Sequence, residues 1–152
     1  MKKSAQVRQG FTLVELLVVI AIIAILAAVV VLIINPLELT RRGRDAARLT
    51  DLANLQQAIN VAVQESTESA QEILCNGAGA ATCTEKSNTG TRSSNGSGWV
   101  RVNMSTQNAV SVPTLPIDPS NGATYHYLYC ADTTGGAAKW EIDATLESEQ
   151  QK

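Results

Sequence analysis

The residues best placed to do chemistry lie near the N-terminus, where the pair Gly10-Phe11 precedes an apolar run and Glu15 stands at its edge. A charged group at the edge of a membrane helix is costly and usually marks a function or a partner. If the Gly10–Phe11 bond is cut, Phe11 gains a positive amine that can pair with Glu15 of a neighbouring chain. The alternative is that Glu15 lies at the headgroup level and is simply solvated.

The element that positions Glu15 is residues 16–34, a run of 19 apolar residues. As an α-helix it covers about 28 Å, close to the thickness of a bilayer hydrocarbon core. A cleaved secretory signal has a shorter apolar region, of about 7–15 residues, followed by a small-x-small site. No Ala-x-Ala follows this run, and the candidate cleavage site lies before it. Cleavage would therefore remove the basic leader and keep the anchor.

Gly10 followed by Phe-Thr-Leu-Val-Glu and an aliphatic helix resembles the class III signal of type IV pilins and type II secretion pseudopilins, over residues 1–35. The resemblance implies that residues 1–10 are a leader removed by a prepilin peptidase, and that the new amino group of Phe11 is methylated. It also implies that subunits stack through their N-terminal helices. Many pilins carry a proline within this helix, whereas the candidate here is Pro36, so the position of a bend stays open.

The rest of the chain predicts an α+β fold, a long N-terminal helix packed on a small C-terminal antiparallel sheet, which the resemblance implies is the pilin fold. A membrane and assembly helix over 11–35 is followed by an amphipathic helix over 36–74, with an apolar stripe at Leu49, Leu52, Leu55, Ile59 and Val63. Residues 75–98 are predicted to form a variable loop. Residues 99–152 form the sheet domain, with strands expected at 99–102, 109–112, 124–130 and 139–145.

Three cysteines favour an oxidising compartment, although the odd number leaves one thiol over. Cys75–Cys83 is the preferred pair, because it closes a nine-residue loop and would stabilise the fold by roughly 2–3 kcal/mol, with Cys130 free. Cys75–Cys130 and Cys83–Cys130 stay open as alternatives. Zinc is not expected, since neither a Cys-x-x-Cys pair nor a His cluster is present.

Charge disfavours nucleic acid as a partner. The formal net charge is −2, and loss of Lys2, Lys3 and Arg8 with the leader takes the mature chain to −5, whereas nonspecific nucleic-acid binding needs a basic surface. The leader cations indicate a cytoplasmic N-terminus, but four arginines over 41–48 crowd the opposite flank, so a positive-inside count alone does not favour that orientation. Cysteines in the C-terminal part favour an N-in, C-out subunit.

Other candidate sites carry weaker signals. His126 is the only histidine and has no recognisable nucleophile or orienting acid beside it, so no catalytic site and no cofactor are expected. Asp118 and Asp132 are weak candidates for calcium, which some pseudopilins bind near their strand loops. Asn95-Gly-Ser97 and Asn103-Met-Ser105 match the glycosylation sequon, a short motif that also arises by chance.

The leading hypothesis is a structural subunit of a type IV pilus-like filament and not an enzyme. It would enter the bacterial cytoplasmic membrane as a single-pass N-in, C-out precursor and then join an extracellular pilus. One alternative is a periplasmic pseudopilin of a type II secretion or DNA-uptake system. Another is a membrane-anchored binding domain that never polymerises. The expected partners are further copies of the chain, the prepilin peptidase, the pilus assembly platform proteins and the membrane before assembly.

Overall fold

The computed structural model describes residues 10–107, 112–136 and 138–149. The chain divides into two compact units, residues 1–39 and 40–152. The first unit contains helix α1, Leu13–Ile33, which begins with a capping box between Thr12 and Glu15 and ends at Ile34. Every residue of α1 is exposed within the chain. A helix that is apolar on all sides and that no other described residue covers needs lipid or another protein around it.

Helix α2, Pro36–Glu65, begins where the Asn35 side chain caps the next turn. The Asn35 Oδ1 accepts hydrogen bonds from the amides of Leu37 at 3.2 Å and Glu38 at 3.3 Å. Pro36 suits this first helical position, because its missing N–H would have no partner there and its φ is already helical. Asn35-Pro36 therefore ends one helix and starts the next.

The buried face of α2 includes Leu55, Ala58, Ile59 and Ala62, whereas Leu49 at the start of the predicted stripe is 51% exposed. The predicted helix over 36–74 is not continuous, since α2 ends at Glu65 and the separate helix α3 spans Ala70–Leu74. A second capping box, between Ser69 and Glu72, starts α3. The helix is interrupted here because the Ser69 hydroxyl accepts a hydrogen bond from the Glu72 amide. This bond caps the first turn of α3 and so starts a new helix.

A three-stranded antiparallel sheet has the order β1-β2-β3, formed by Thr82–Lys86, Tyr127–Asp132 and Lys139–Ala144. The last two strands form the predicted hairpin, with Tyr129 opposite Ile142. Along β3, alternate residues are partly buried and exposed, as the period of two predicts. Together with the two long helices, this sheet confirms the predicted α+β, pilin-like fold.

Two strand predictions were wrong. Strand β1 lies inside the region 75–98 that was expected to be loop, while residues 99–102 form no strand. The Trp99 amide donates to the Thr91 carbonyl at 3.0 Å, and the Arg101 carbonyl accepts from Asn76, so this segment bonds to loops and not to a ladder. Most of the strand expected at 109–112 lies outside the described residues.

Residues 99–102 instead form part of the core. Trp99, Val100 and Val102 are fully buried with Tyr127 and Tyr129 of β2 and the inner face of α2. Two polar groups of these aromatic side chains have partners: the Trp99 Nε1 donates to the Pro116 carbonyl at 3.0 Å, and the Tyr129 hydroxyl donates to the Leu74 carbonyl at 2.7 Å. These bonds connect the sheet and α3 with residues 113–119, which contain three prolines and are called the proline-rich loop. All three parts contribute to one hydrophobic core.

Candidate processing and assembly site

The peptide bond between Gly10 and Phe11 lies before α1, outside any helix or strand, and both residues are exposed. Phe11 is 86% exposed. A Cβ added to Gly10 would meet nothing within 4 Å. The fold of the chain itself therefore leaves this bond open to a protease, and any requirement for glycine at position 10 must come from the protease.

Glu15 lies in the first turn of α1, and its carboxylate is held by Thr12. The Glu15 Oε2 accepts from the Thr12 amide at 2.9 Å and from the Thr12 hydroxyl at 2.7 Å. The Glu15 amide donates back to the Thr12 Oγ1 at 3.3 Å. An acid in the first turn also interacts favourably with the helix dipole. The carboxylate is thus fixed at the end of the apolar helix, with its charge still uncompensated by these bonds.

The surface around Glu15 is apolar along the whole of α1. Among the described residues, Leu13–Ile33 is the one helix long and apolar enough to cross a membrane by length and composition. Its side chains remain about half exposed or more, from 47% at Val19 to 86% at Leu32. Such a surface matches a hydrocarbon environment.

The structure joins Cys75 to Cys83, with 5.7 Å between their Cα atoms, the pairing that the sequence favoured. Cys83 belongs to β1, and Cys75 follows α3 directly. The bond therefore fastens the short helix to the edge of the sheet. Cys130 is a free thiol, half-buried within β2. It lies opposite Thr84 on one side and Glu141 on the other.

A second cluster of charged groups, absent from the sequence predictions, surrounds the fully buried Arg48 of α2. Its Nε donates to the Asp118 Oδ2 at 2.6 Å and its Nη2 to the Asp118 Oδ1 at 2.9 Å. Its Nη1 donates to Asp45 at 2.6 Å, and its Nη2 also reaches Glu147 at 2.5 Å. We call Arg48, Asp45, Asp118 and Glu147 the Arg48 cluster.

The Arg48 cluster fastens the C-terminal segment to α2. The Asp45 carboxylate accepts hydrogen bonds from the backbone amides of Glu147 at 2.9 Å and Ser148 at 2.8 Å. The Glu147 carboxylate also forms an ion pair with the Arg44 guanidinium. The Tyr125 ring lies 5.3 Å from the Arg48 guanidinium carbon. Buried charges need partners of this number and geometry, because desolvation otherwise outweighs their attraction.

These contacts lower the pKa values of all three acids in the cluster. Burial alone would raise the pKa of Asp45, but the amides of Glu147 and Ser148 and the Arg48 guanidinium outweigh it and lower that pKa to about 2. The Arg44 and Arg48 guanidiniums lower the pKa of Glu147 to about 2 against the effect of burial. Burial also opposes ionisation of Asp118, yet Arg48 keeps its pKa below the ordinary value. All three carboxylates are thus charged at neutral pH.

One signal in the sequence could have found Arg48. It precedes Leu52, Leu55 and Ile59 at intervals of four, three and four residues, so it lies on the apolar stripe of α2. A charged residue at a core-facing position predicts a buried ion pair. Its partners Asp118 and Glu147 lie 70 and 99 residues further along the chain, and no local pattern identifies them.

The other candidate residues have structural partners. Asp118 gives both oxygens to Arg48, which accounts for its burial without a cation. Asp132 is exposed and accepts from the amide and hydroxyl of Thr134 at 2.9 and 2.7 Å. In the part of the chain that the structure describes, no group of three or more His, Cys, Asp or Glu could hold a metal ion. The His126 Nδ1 lies 3.2 Å from the Gly122 carbonyl oxygen.

Fold and site together define a class: an α+β protein with an exposed apolar N-terminal helix. The family model of the prokaryotic N-terminal methylation motif matches residues 6–31, which confirms the resemblance noted in the sequence. The chain thus carries the prepilin-type motif, consistent with the type IV pilin and pseudopilin family. The motif implies processing by a prepilin peptidase. Searches of the curated proteins and of the solved structures each gave no match.

Proposed function

We propose that this protein is the structural subunit of a type IV pilus-like filament. It is inserted as an N-in, C-out precursor, cut between Gly10 and Phe11, methylated on the new Phe11 amine, and assembled through α1. The observation that carries the proposal is α1 itself, an apolar helix that none of the described residues covers. Lipid covers this surface before assembly, and the α1 helices of other copies cover it afterwards.

Glu15 sets the axial register of the helices in this proposal. Before cleavage the nitrogen of Phe11 is a peptide nitrogen without charge, and the Glu15 carboxylate accepts hydrogen bonds from Thr12. Cleavage creates an amine near the same end of the helix. A carboxylate and an amine from two copies attract strongly where apolar side chains exclude water. A copy displaced by even one helical turn would leave both charges unpaired in an apolar environment.

The unit of residues 40–152, which we call the soluble unit, supports a location outside the cytoplasm. Its Cys75–Cys83 bond belongs to an oxidising compartment. The leader would remain on the cytoplasmic side, where the prepilin peptidase cuts it and where assembly platform proteins act. After assembly the soluble unit faces the exterior of the filament, in an extracellular pilus.

Intact-mass measurement of two fractions tests the proposal. Cells are sheared, and the protein is purified both from the sheared filaments and from the membrane. The expected result is a chain lacking residues 1–10 and carrying one methyl group in the filament fraction. The variant Gly10→Val should keep the leader and remain in the membrane, because a branched side chain replaces the open glycine before the cut. Uncut protein confined to the membrane in the unaltered strain would refute the filament role.

A further inference from the structure

The loop between β1 and β2 carries two tripeptides of the form Asn-x-Ser that the assembly function does not use. They are Asn95-Gly96-Ser97 and Asn103-Met104-Ser105. Asn95, Ser97 and Ser105 are exposed, and Asn103 is half-buried. Asn-x-Ser on an exposed loop is the acceptor sequence for N-linked glycans.

Each asparagine bonds to the serine of its own tripeptide. The Asn95 Oδ1 accepts from the Ser97 amide at 3.2 Å and from the Ser97 hydroxyl at 2.6 Å. The Asn103 Oδ1 accepts from the amide and hydroxyl of Ser105 at 3.1 and 2.7 Å. Within the described parts of the chain, no bond uses the Nδ2 of either asparagine. Both amide nitrogens are therefore available while both carbonyl oxygens are held.

The two tripeptides are tied together. Asn95 and Asn103 form an isolated antiparallel bridge. The Met104 amide donates to the Ser94 carbonyl at 2.7 Å. Gly96 adopts a φ of +85°, and a Cβ there would lie 2.9 Å from the Asn76 side chain, so the first tripeptide turns in a way that requires glycine. The fold thus places two acceptor sequences side by side on one surface.

We propose that Asn95 and Asn103 form an acceptor pair for N-linked glycan. The donor is a glycan on a lipid pyrophosphate, supplied to a membrane transferase. The Nδ2 forms a bond to the anomeric carbon, the bond from that carbon to the phosphate oxygen breaks, and its electron pair leaves with the lipid pyrophosphate. One Nδ2 proton passes to a base of the transferase. The inference rests on the proposed function, because that topology brings the soluble unit to the side of such donors.

Two arginines make the test direct. Trypsin cuts after Arg92 and Arg101, and its next site is Lys139, so Asn95 and Asn103 fall on separate peptides, 93–101 and 102–139. The full chain is purified from the cells that make it, digested and examined by mass spectrometry with sugar-fragment detection. Glycan mass on either peptide supports the inference, and two unmodified peptides overturn it.

The serines supply a matched pair of variants. Ser97→Ala should abolish the glycan on peptide 93–101 and leave the glycan on peptide 102–139. Ser93→Ala is the control, since the Ser93 hydroxyl also donates to the Asn95 Oδ1, at 2.7 Å, but lies outside the tripeptide. It should keep the modification. Loss in Ser93→Ala with retention in Ser97→Ala would contradict the assignment.

The same samples separate this inference from the proposed function. The intact mass reports removal of residues 1–10 independently of the tryptic peptides. A cut and methylated chain with two bare peptides overturns the glycan inference alone. A chain that keeps its leader, whatever its glycans, counts against the filament.

Discussion

Arg48 and Asp118 form a two-point ion pair in which both side chains are fully buried, with nitrogen–oxygen distances of 2.6 and 2.9 Å. The pair joins α2 to the proline-rich loop before β2. Arg48 also holds Asp45 and Glu147, so one guanidinium orders three carboxylates from three parts of the chain. Removing it would leave three buried carboxylates without their shared cation.

The first prediction concerns Arg48→Met, which should destabilise the soluble unit by about 3–5 kcal/mol, the usual cost of deleting one partner of a buried ion pair. Urea unfolding of the full chain in detergent, followed by fluorescence of the buried Trp99, measures it. Arg42→Met, an exposed arginine of the same helix, is the control and should change stability by about 0.5 kcal/mol or less. Equal stability of the two variants would show that the Arg48 cluster is dispensable.

The second prediction is the pH dependence of stability. The pKa values of Asp45 and Glu147 are about 2 in the folded chain, against ordinary values of 3.8 and 4.5. Between these values the unfolded chain binds more protons than the folded chain, so stability is complete above about pH 4.5 and declines as the pH falls towards 2. Urea midpoints across this range should show the decline. Asp45→Asn should reduce its slope, and an unchanged slope would exclude Asp45 as a source.

The third prediction concerns the assembly charge. Glu15→Val should enter the membrane normally, because it removes a polar group from an apolar helix, yet yield few or no sheared filaments. Thr12→Ala is the control: it removes the hydroxyl that binds Glu15 but keeps the carboxylate, so filaments should still form. Electron microscopy and the yield of sheared protein provide the measurement. Normal filament yield from Glu15→Val would remove this carboxylate from the mechanism.

The fourth prediction concerns the disulfide. Replacing both Cys75 and Cys83 by Ala should lower stability by about 2–3 kcal/mol, since a closed loop of this length restricts the unfolded chain. Cys130→Ala should have a smaller effect, because this thiol is half-buried and unbonded to another cysteine. Urea unfolding without reductant compares the variants. If the Cys130 substitution proves as costly as the double substitution, the assigned role of the disulfide is wrong.

Local patterns identified the parts of this protein that depend on neighbouring residues in the chain. Gly10, Phe11 and Glu15 stand next to an unbroken apolar run, and the predicted stripe contains Leu55 and Ile59, which are buried on one face of α2. The alternation in 139–144 likewise predicts which side chains of β3 are exposed and which are partly buried. In each case the period of the element appears in the sequence itself.

The missed features depend on long-range contacts. Strand β1, Thr-Cys-Thr-Glu-Lys, has little apolar alternation and is a strand because β2 pairs with it. Residues 99–102 have a strand-like composition but bury neighbouring side chains in the core. The partners of the buried Arg48 could not be predicted, because Asp118 and Glu147 lie far from it in the sequence.

The uniform apolar surface of α1 has a consequence for how a subunit leaves the bilayer. A hydrocarbon chain and a leucine side chain of another subunit solvate this helix almost equally well, so the exchange of one for the other has little hydrophobic driving force in either direction. Moving α1 from lipid into contact with other subunits, and moving it back, therefore involve similar free energies along the length of the helix. In the proposed filament, the balance between growth and shrinkage would therefore depend on the charged end of α1 and on the proteins that act on it.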